Sequence, residues 1–361
     1  MILPLPSILS HMKIAHLILT HSFAGTERYV LELANAQAHA GHEVTVILHK
    51  RSAENRPNAF AHRFDDSIKK IFVGGWGFLS HWTARQALLR LNIDVAHGHL
   101  SAGCKALHGL NGRFLRVATL HIHFKPQQHL DLDALIAIAP WQVDAIPESQ
   151  KSHTAQINNW TIGIAAKPLA RQAIRAELGI SNQEFLIGAL CRAEHSKGLD
   201  VLIDAFVSAK PPGARLVIVG GGRNWKSLRA RAPDEIIMPG FVEHPQDWFA
   251  AFDGFVSAAR SEPFGLVFLE AFAAGLPVLA TASQGAQIFQ SLIDRPLLPC
   301  NDATSMAKAL IDWAAERPAR SVYELSAYDY RKQVIEIENF YKEQIILNMI
   351  AIEPKTPTRH D

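Results

Sequence analysis

The chain has 361 residues, an apolar fraction of 48% and a formal net charge of +2 from 36 basic and 34 acidic residues. This length exceeds the usual size of one hydrophobic core, so two domains are expected. The near balance of charge excludes a protein held on nucleic acid by bulk positive charge, and we expect no nucleic-acid partner. The three cysteines, Cys104, Cys191 and Cys300, are far apart in the sequence, which predicts reduced thiols in a cytoplasmic protein without structural zinc.

The first eleven residues, MILPLPSILSH, are apolar but contain two prolines and lack a positively charged start. They match a signal peptide poorly, and we predict a poorly ordered extension over residues 1–11. No apolar run reaches the roughly 18 residues that a membrane-spanning helix needs. Peripheral contact with the inner face of the plasma membrane stays open.

Strand and helix patterns alternate through the first half of the chain. Residues 13–20 and 43–49 predict strands, with a small-residue loop at 22–26 and a helix from about Glu27 between them. This alternation predicts a doubly wound parallel sheet, in which ligands bind at the carboxyl ends of the strands. The loop lets a ligand approach the backbone at Gly25, although an ordinary turn explains the same pattern.

Two His-x-His pairs occur at the ends of predicted strands. His97 and His99 belong to the segment VAHGH, and His121 and His123 follow the strand at 116–120. Because alternate strand residues point to one face and imidazole binds zinc, a metal site is one interpretation. No acidic residue lies within either pair, so we favour polar residues of a ligand cleft.

The second half begins after residues 158–167, which we interpret as a crossover between domains. A strand at 185–190 leads into a loop with Arg192 and Lys197, two cations that can neutralise a diphosphate or simply face solvent. The glycines at 220–222 lack the Lys-Ser/Thr of a P-loop and predict a tight turn. The loop around Val242 can offer backbone groups to a nucleotide base.

The stretch 261–281, SEPFGLVFLEAFAAGLPVLAT, carries the most specific pattern in the chain. A strand precedes it, and it predicts a short loop, a helix and a second strand, which form a parallel unit. Glu262 and Glu270 flank the helix start with seven residues between them. Free N–H groups at a helix start suit a phosphate, and carboxylates accept hydrogen bonds from sugar hydroxyls. The stretch therefore predicts half of a nucleotide-sugar site.

Together these motifs resemble the retaining glycosyltransferases of family 4, of the bacterial surface-glycan type. The stretch 261–281 is similar to the E-x7-E signature of that family, and Arg192 with Lys197 is similar to its R-x4-K pair. The segment AGTERYVLELANAQAHAGHEVTVI is similar to its opening loop, helix and strand. The resemblance implies the GT-B fold, an α/β architecture with two Rossmann-like domains whose parallel sheets face a central cleft.

The resemblance also implies a division of the chain and a set of site residues. We expect an acceptor domain at 12–165, a nucleotide-sugar donor domain at 166–325, a helix at 326–350 that packs back toward the N-terminal domain, and a frayed tail at 351–361. By resemblance, Glu262 holds sugar hydroxyls, Glu270 the ribose, and Arg192 with Lys197 the diphosphate. The full set of implied catalytic and donor-binding residues is Glu262, Arg192, Lys197, His121, Glu270, Phe264, Gly265, Leu266, Gly25 and Val242.

The implied reaction transfers a sugar from a nucleoside diphosphate to an acceptor hydroxyl with retained anomeric configuration. The implied partners are a nucleotide-sugar donor and a glycan or glycolipid acceptor, as in lipopolysaccharide synthesis, and no metal or other cofactor is expected. A sugar-nucleotide epimerase with the same fold is an alternative, whereas a phosphorylase is disfavoured because no lysine matches its cofactor site. A non-catalytic sugar-nucleotide-binding protein is disfavoured by the presence of Glu262, Arg192 and Lys197 together.

Overall fold

The computed structural model describes residues 10–56, 58–75, 77–163 and 165–352. The chain forms two compact units, one made of the residues up to Asn159 and from Tyr330 onward, the other of Trp160–Asp329. Each unit contains one parallel sheet, which confirms the predicted α/β fold with two Rossmann-like domains. The predicted extension at 1–11 and tail at 351–361 fall largely outside the described residues. Within the described part, no helix is long and apolar enough to cross a bilayer.

The first unit is built on a seven-stranded sheet. Its strands are β1 (Lys13–Ile18), β2 (Glu43–His49), β3 (Lys69–Val73), β4 (Val95–His99), β5 (Leu115–Leu120), β6 (Ala134–Ala137) and β7 (Thr154–Gln156). Its helices include α1 (Gly25–His39), α2 (Phe78–Leu88), α3 (Leu100–Ala106), α4 (Pro126–His129), α5 (Pro140–Asp144) and α6 (Glu148–Lys151). The strand order is β3-β2-β1-β4-β5-β6-β7, so the order reverses between β1 and β4. The carboxyl ends of those two strands are the expected ligand position.

The second unit is built on a five-stranded sheet. Its strands are β8 (Phe185–Leu190), β9 (Ala214–Val219), β10 (Ile236–Gly240), β11 (Gly254–Ser257) and β12 (Val278–Ala280). Its helices are α7 (Ala170–Glu177), α8 (Leu199–Ala209), α9 (Trp225–Arg231), α10 (Pro245–Ala251), α11 (Leu266–Ala273), α12 (Gln284–Ile288) and α13 (Ala303–Glu316). The order β10-β9-β8-β11-β12 reverses between β8 and β11. Ligands of such sheets bind beside the loops that follow these two strands.

Helix α14 (Tyr330–Ile352) belongs to the first unit although it follows the second unit in sequence. The Tyr341 hydroxyl lies 2.6 Å from Nδ1 of His97, and Oε1 of Gln344 lies 3.1 Å from Nδ1 of His153. Its side chains Val334, Ile337, Phe340 and Tyr341 are buried at helical spacing. An amphipathic pattern of this kind places one stripe of the helix on the protein.

The crossings between the two units differ from the boundaries predicted at 165 and 325. Thr161 forms a parallel bridge with Asp329, and its N–H donates to the Tyr328 carbonyl at 3.3 Å. The outgoing and returning segments therefore run side by side within the second unit. The chain leaves the first unit after Asn159 and returns to it at Tyr330, where α14 begins.

The two faces of the first sheet differ in polarity. Ala15 and Leu17 of β1 belong to the apolar core on one face. Because strand side chains alternate between faces, His16 lies on the opposite face, where Nε2 is 2.7 Å from Oε1 of Gln37 on α1. His97 is on that face too, in contact with α14. The sheet thus buries an apolar layer on one side and a polar cluster on the other.

Candidate functional site

The loops that follow β8 and β11 bring Lys197 and Glu262 together. Nζ of Lys197 lies 2.6 Å from Oε2 of Glu262, and the two side chains are 14% and 16% exposed. The strands are neighbours at the reversal of strand order, so this ion pair lies where such sheets bind ligands. The structure therefore joins two residues that sequence analysis assigned to separate motifs.

Arg260 links the same two loops. Its guanidinium binds both carboxylate oxygens of Asp200 at 2.8 and 2.7 Å and the His195 carbonyl at 2.7 Å. The N–H groups of Arg260 and Ser261 donate to the Ser196 carbonyl at 2.8 and 3.1 Å. The hydrogen bonds from Arg260 lower the pKa of the Asp200 carboxyl. The paired hydrogen bonds therefore join a charged guanidinium to a charged carboxylate. Sequence analysis missed Arg260, because a lone cation ahead of the Glu262 motif gives no local signal.

Two glycines allow the close approach of these loops. Gly198 has a φ of +61°, and a Cβ there would lie 1.9 Å from the carbonyl oxygen of Ala258. Gly285 donates its N–H to the Glu262 carbonyl at 2.6 Å, and a Cβ there would lie 2.4 Å from the carbonyl oxygen of Phe264. Only glycine fits such backbone contacts. Backbone packing therefore fixes the loops that carry the ion pair.

The start of α11 adds backbone donors next to Glu262. Gly265, with a φ of +90°, precedes Leu266, the first helical residue. The N–H groups of a first turn lack intrahelical partners and favour anions. The Phe264 ring is buried 5.4 Å from that of Phe289, so only the backbone of Phe264 is available to a ligand. Glu270 is half-buried in the second turn of α11.

Arg192 is less enclosed than Lys197. Its side chain is 63% exposed, and Nη1 lies 3.0 Å from Oε1 of Glu194. Its loop packs on the glycines at 220–222, where a Cβ at Gly220 would lie 1.9 Å from the Cys191 carbonyl oxygen. These glycines therefore form the surface on which the Arg192 loop packs, a role beyond the tight turn that we predicted for them.

The remaining two residues that we predicted to contact the donor, Val242 and Gly25, belong to different units. Val242 is half-buried in the loop after β10. Gly25 is the exposed first residue of α1, so the prediction of a loop at 22–26 and a helix from Glu27 was wrong by two residues. The reason is the extended backbone of Ala24, whose carbonyl accepts the N–H of Arg28 at 2.9 Å and begins the helix. The Gly25 amide is thereby one of the open donors of a helix start.

Four histidines of the first unit form a buried, hydrogen-bonded cluster. They are His16 on β1, His97 and His99 on β4, and His121 after β5. Nδ1 of His16 lies 3.1 Å from Nε2 of His99, and Nδ1 of His99 lies 3.0 Å from Nε2 of His121. Sequence analysis missed His16, which is the register partner of His97 across β1 and β4.

A metal site was the alternative interpretation of the histidine pairs. His123, which we had considered, packs instead against the Trp141 ring at 5.1 Å. One nitrogen from each of His16, His97 and His99 lies within 4.8 Å of the others. The ring nitrogens of these three residues make hydrogen bonds to protein groups, and the trio includes no carboxylate to offset a divalent charge. The donor set suits a hydrogen-bonded network better than a metal ion.

Burial keeps these four imidazoles neutral. Desolvation lowers the pKa of His16 to about 4 and that of His121 to about 3. The same cause lowers the pKa of His97 and of His99 well below the usual range, helped by the neighbouring imidazoles.

Two family models match the chain, one in each unit. The model described as Glycosyltransferase Family 4 matches residues 23–155, and the model described as Glycosyl transferases group 1 matches residues 184–316. The chain is 30% identical over 326 residues to the lipopolysaccharide core biosynthesis glycosyltransferase LpsE of Rhizobium meliloti, covering 86% of this chain and 91% of that protein. The chain belongs to glycosyltransferase family 4.

Other relatives and solved structures also match this family 4 chain. It is 26% identical over 297 residues to the alpha-monoglucosyldiacylglycerol synthase of Streptococcus pneumoniae, covering 75% of this chain and 65% of that protein. It spans 38% and 55% of two further relatives. Its fold matches that of Anabaena HepE in complex with UDP and glucose, with a TM-score of 0.68 and 20% identity over 95% of this chain and 100% of that one. The family 4 chain thus has the GT-B fold.

Acidification should destabilise the first unit through its histidines. Unfolded histidine titrates near pH 6.5, whereas His16 stays neutral in the fold down to about pH 4, so the unfolded state binds more protons between these values. The free energy of unfolding should therefore fall as the pH falls through this window, by up to about 1.4 kcal/mol per pH unit for each such histidine. Denaturant unfolding at several pH values measures this slope.

The variant His16→Asn should show a shallower slope than the unaltered protein. The matched control is His62→Asn, which changes an exposed histidine of the same unit and should leave the slope as it is. Equal slopes for His16→Asn and the unaltered protein would contradict the neutral, buried state of His16.

Proposed function

We propose that this chain is a retaining glycosyltransferase that moves a sugar from a nucleoside diphosphate to an acceptor hydroxyl. The observation that carries the proposal is the 2.6 Å pair of Lys197 and Glu262, next to the start of α11 and at the reversal of strand order. A nucleotide sugar needs a cation and N–H donors for its phosphates and an acceptor for its sugar hydroxyls. This part of the second unit offers all three.

Donor binding replaces the contact between the two charged side chains. Lys197 exchanges the Glu262 carboxylate for a phosphate oxygen, and Glu262 accepts hydrogen bonds from the sugar hydroxyls instead. When the bond between the sugar and the diphosphate breaks, negative charge grows on the leaving phosphate. Lys197, Arg192 and the first-turn amides of α11 stabilise that charge without reorganising during the reaction.

Glu262 does not act as a nucleophile in this proposal, because the sugar hydroxyls occupy it. The departing phosphate takes the proton of the acceptor hydroxyl, and the acceptor attacks from the side that the phosphate leaves. Attack on that side retains the anomeric configuration. The charges of Lys197 and Arg192 take the place that a divalent cation would have, so we propose that no metal or other cofactor is required.

The other predicted residues complete the donor contacts. We assign the ribose to Glu270, the base to the loop at Val242, and a sugar hydroxyl to His121. The backbone N–H groups assigned to the sugar and phosphates are those near Phe264, Gly265, Leu266 and Gly25. The position of Glu270 supports the ribose assignment, since it lies one helical turn after the first-turn N–H groups of α11, which lack intrahelical partners.

The acceptor is proposed from the relatives. LpsE is named for lipopolysaccharide core biosynthesis, and the synthase from Streptococcus pneumoniae is named for a glucosylated diacylglycerol. HepE was solved with UDP and glucose, which favours a nucleotide-sugar donor. We propose a glycan or glycolipid acceptor in the synthesis of a bacterial surface glycan.

Transfer assays test this function directly. With nucleotide sugars and a lipid-linked or free glycan acceptor, the product should keep the donor's anomeric configuration, and a chelator should leave the rate unchanged. Lys197→Met and Glu262→Gln should each lower kcat by about 100-fold or more, because each removes a group that acts on developing charge or on the bound sugar.

Lys226→Met and Glu235→Gln are matched controls, since both change exposed residues of the same unit. An inverted product would overturn the retaining mechanism, and unchanged rates in Lys197→Met and Glu262→Gln would overturn the site. An epimerised nucleotide sugar without transfer would replace this function by that of an epimerase.

We also propose that α2 holds the protein at a membrane surface that carries anionic lipid. Phe78 and Trp82 are 70% and 54% exposed, and Leu79 between them is 45% exposed. Residues four apart lie side by side on a helix. Helix α2 carries Arg85 and contains no acidic residue, so the apolar side chains approach an anionic surface without repulsion.

Sedimentation with phosphatidylglycerol-containing vesicles measures this contact. The double variant Phe78→Ser with Trp82→Ser should lose most of the vesicle-bound fraction, because it removes two large apolar side chains from the contact. Val322→Ser is the control, since it removes a fully exposed apolar side chain from the other unit. Equal binding by the two variants would contradict a role of α2.

A further inference from the structure

The buried hydrogen bonds among Gln37, His16, His99 and His121 run in single file. Oε1 of Gln37 lies 2.7 Å from Nε2 of His16, whose Nδ1 lies 3.1 Å from Nε2 of His99. Nδ1 of His99 in turn lies 3.0 Å from Nε2 of His121. Each of the two links between rings joins one nitrogen of one ring to one nitrogen of the next, so the proton positions of the rings depend on one another.

The orientation of the Gln37 amide gives this row of hydrogen bonds a direction: Oε1 faces Nε2 of His16, and Nε2 of Gln37 is buried without a hydrogen-bond partner among the described residues. An amide oxygen only accepts, and a neutral imidazole has one N–H and one bare nitrogen. His16 must therefore carry its hydrogen on Nε2, which leaves Nδ1 to accept from Nε2–H of His99. By the same step, Nδ1 of His99 accepts from Nε2–H of His121. Desolvation lowers the pKa of each ring, so each one has a single hydrogen to place at neutral pH.

His97 does not share this direction. Its Nδ1 lies 2.6 Å from the Tyr341 hydroxyl and its Nε2 lies 2.8 Å from Oγ1 of Thr119. A hydroxyl group donates or accepts as its neighbour requires. Both tautomers of His97 are therefore satisfied, and its ring, 4.2 Å from that of His99, supports the chain by packing.

We infer that Gln37, His16 and His99 are positioning residues that hold His121 in the Nε2–H tautomer and present its Nδ1 as a hydrogen-bond acceptor. His121 is 9% exposed, and its Nδ1 has no partner among the residues that the structure describes. An acceptor selects a ligand that offers an O–H group, such as a sugar hydroxyl, over a phosphate or carboxylate oxygen. The identity of the ligand rests on the proposed function, whereas the tautomer order rests on the free protein alone.

Nuclear magnetic resonance of the free protein tests the order. In protein labelled with ¹⁵N at histidine, long-range ¹H–¹⁵N spectra distinguish the two neutral tautomers, and single His variants assign the signals. The inference predicts Nε2–H for His16, His99 and His121 at neutral pH. An Nδ1–H signal at His121 would overturn it, as would coordination of Zn²⁺ added alone, seen as joint shifts of the His16, His97 and His99 nitrogens.

Substitution of Gln37 tests the cause. Gln37→Leu removes the fixed acceptor at the start of this hydrogen-bonded row, so His121 should show mixed tautomers. The matched control is Gln344→Leu, which removes a partly buried Gln–His hydrogen bond of 3.1 Å at His153 and should leave the His121 signal unchanged. An unchanged His121 tautomer in Gln37→Leu would contradict the inference.

Transfer rates separate this inference from the proposed function. Gln37→Leu should lower kcat/KM roughly tenfold, the effect of about one hydrogen bond. Thermal unfolding of Gln37→Leu and of Gln344→Leu shows that they are folded. If the tautomers are as predicted but Gln37→Leu loses no rate, the ligand contact assigned to His121 is overturned, whereas the inferred order of the hydrogen bonds stands. No transfer by any form of the protein, with the tautomers as predicted, would overturn the proposed function instead.

Discussion

Nζ of Lys197 and Oε2 of Glu262 lie 2.6 Å apart, and the surrounding second unit is built so that these atoms meet. Gly198 and Gly285 let backbone segments touch beside them, and Arg260 joins the two loops. A partly buried charge that loses its partner is strongly destabilising. Each side chain therefore stabilises the other in the free protein, and a ligand must offer both of them better partners than they already have. A molecule with phosphates and hydroxyls meets that condition.

The two units hold their polar groups in different ways. In the second unit, Lys197 and Glu262 stand in loops beyond the strands, and the sheet itself lies in an apolar core. In the first unit, His16, His97 and His99 belong to the strands themselves and are fully buried. A substitution in the loops of the second unit thus leaves the apolar core around its sheet unchanged. A substitution among the histidines changes both core packing and hydrogen bonding, because every ring is at once a core residue and a hydrogen-bonding group.

The sequence was sufficient for the alternation of strands and helices, the GT-B fold and the two motifs around Lys197 and Glu262, because each depends on residues close together in the chain. It was insufficient for contacts between residues that are far apart in the sequence. His16 and His99 are 83 positions apart and meet only through the pairing of β1 with β4. Arg260 lacks a motif, and Thr161 and Asp329, which form a bridge near the two crossings, are far apart in the sequence. The roles of Glu270, Val242 and Gly25 stay predictions.

The central claim is that Lys197 binds the diphosphate and Glu262 binds the sugar. Titration calorimetry with the free nucleotide and with the nucleotide sugar tests it most directly. The titrants are UDP and UDP-glucose, with the GDP- and ADP-linked pairs used where they bind more tightly. The account predicts that Lys197→Met weakens binding of the free nucleotide and of the nucleotide sugar by similar factors. Glu262→Gln should weaken binding of the nucleotide sugar only. If Glu262→Gln weakened binding of both ligands equally, or if Lys197→Met left binding of the free nucleotide unchanged, the account would be contradicted.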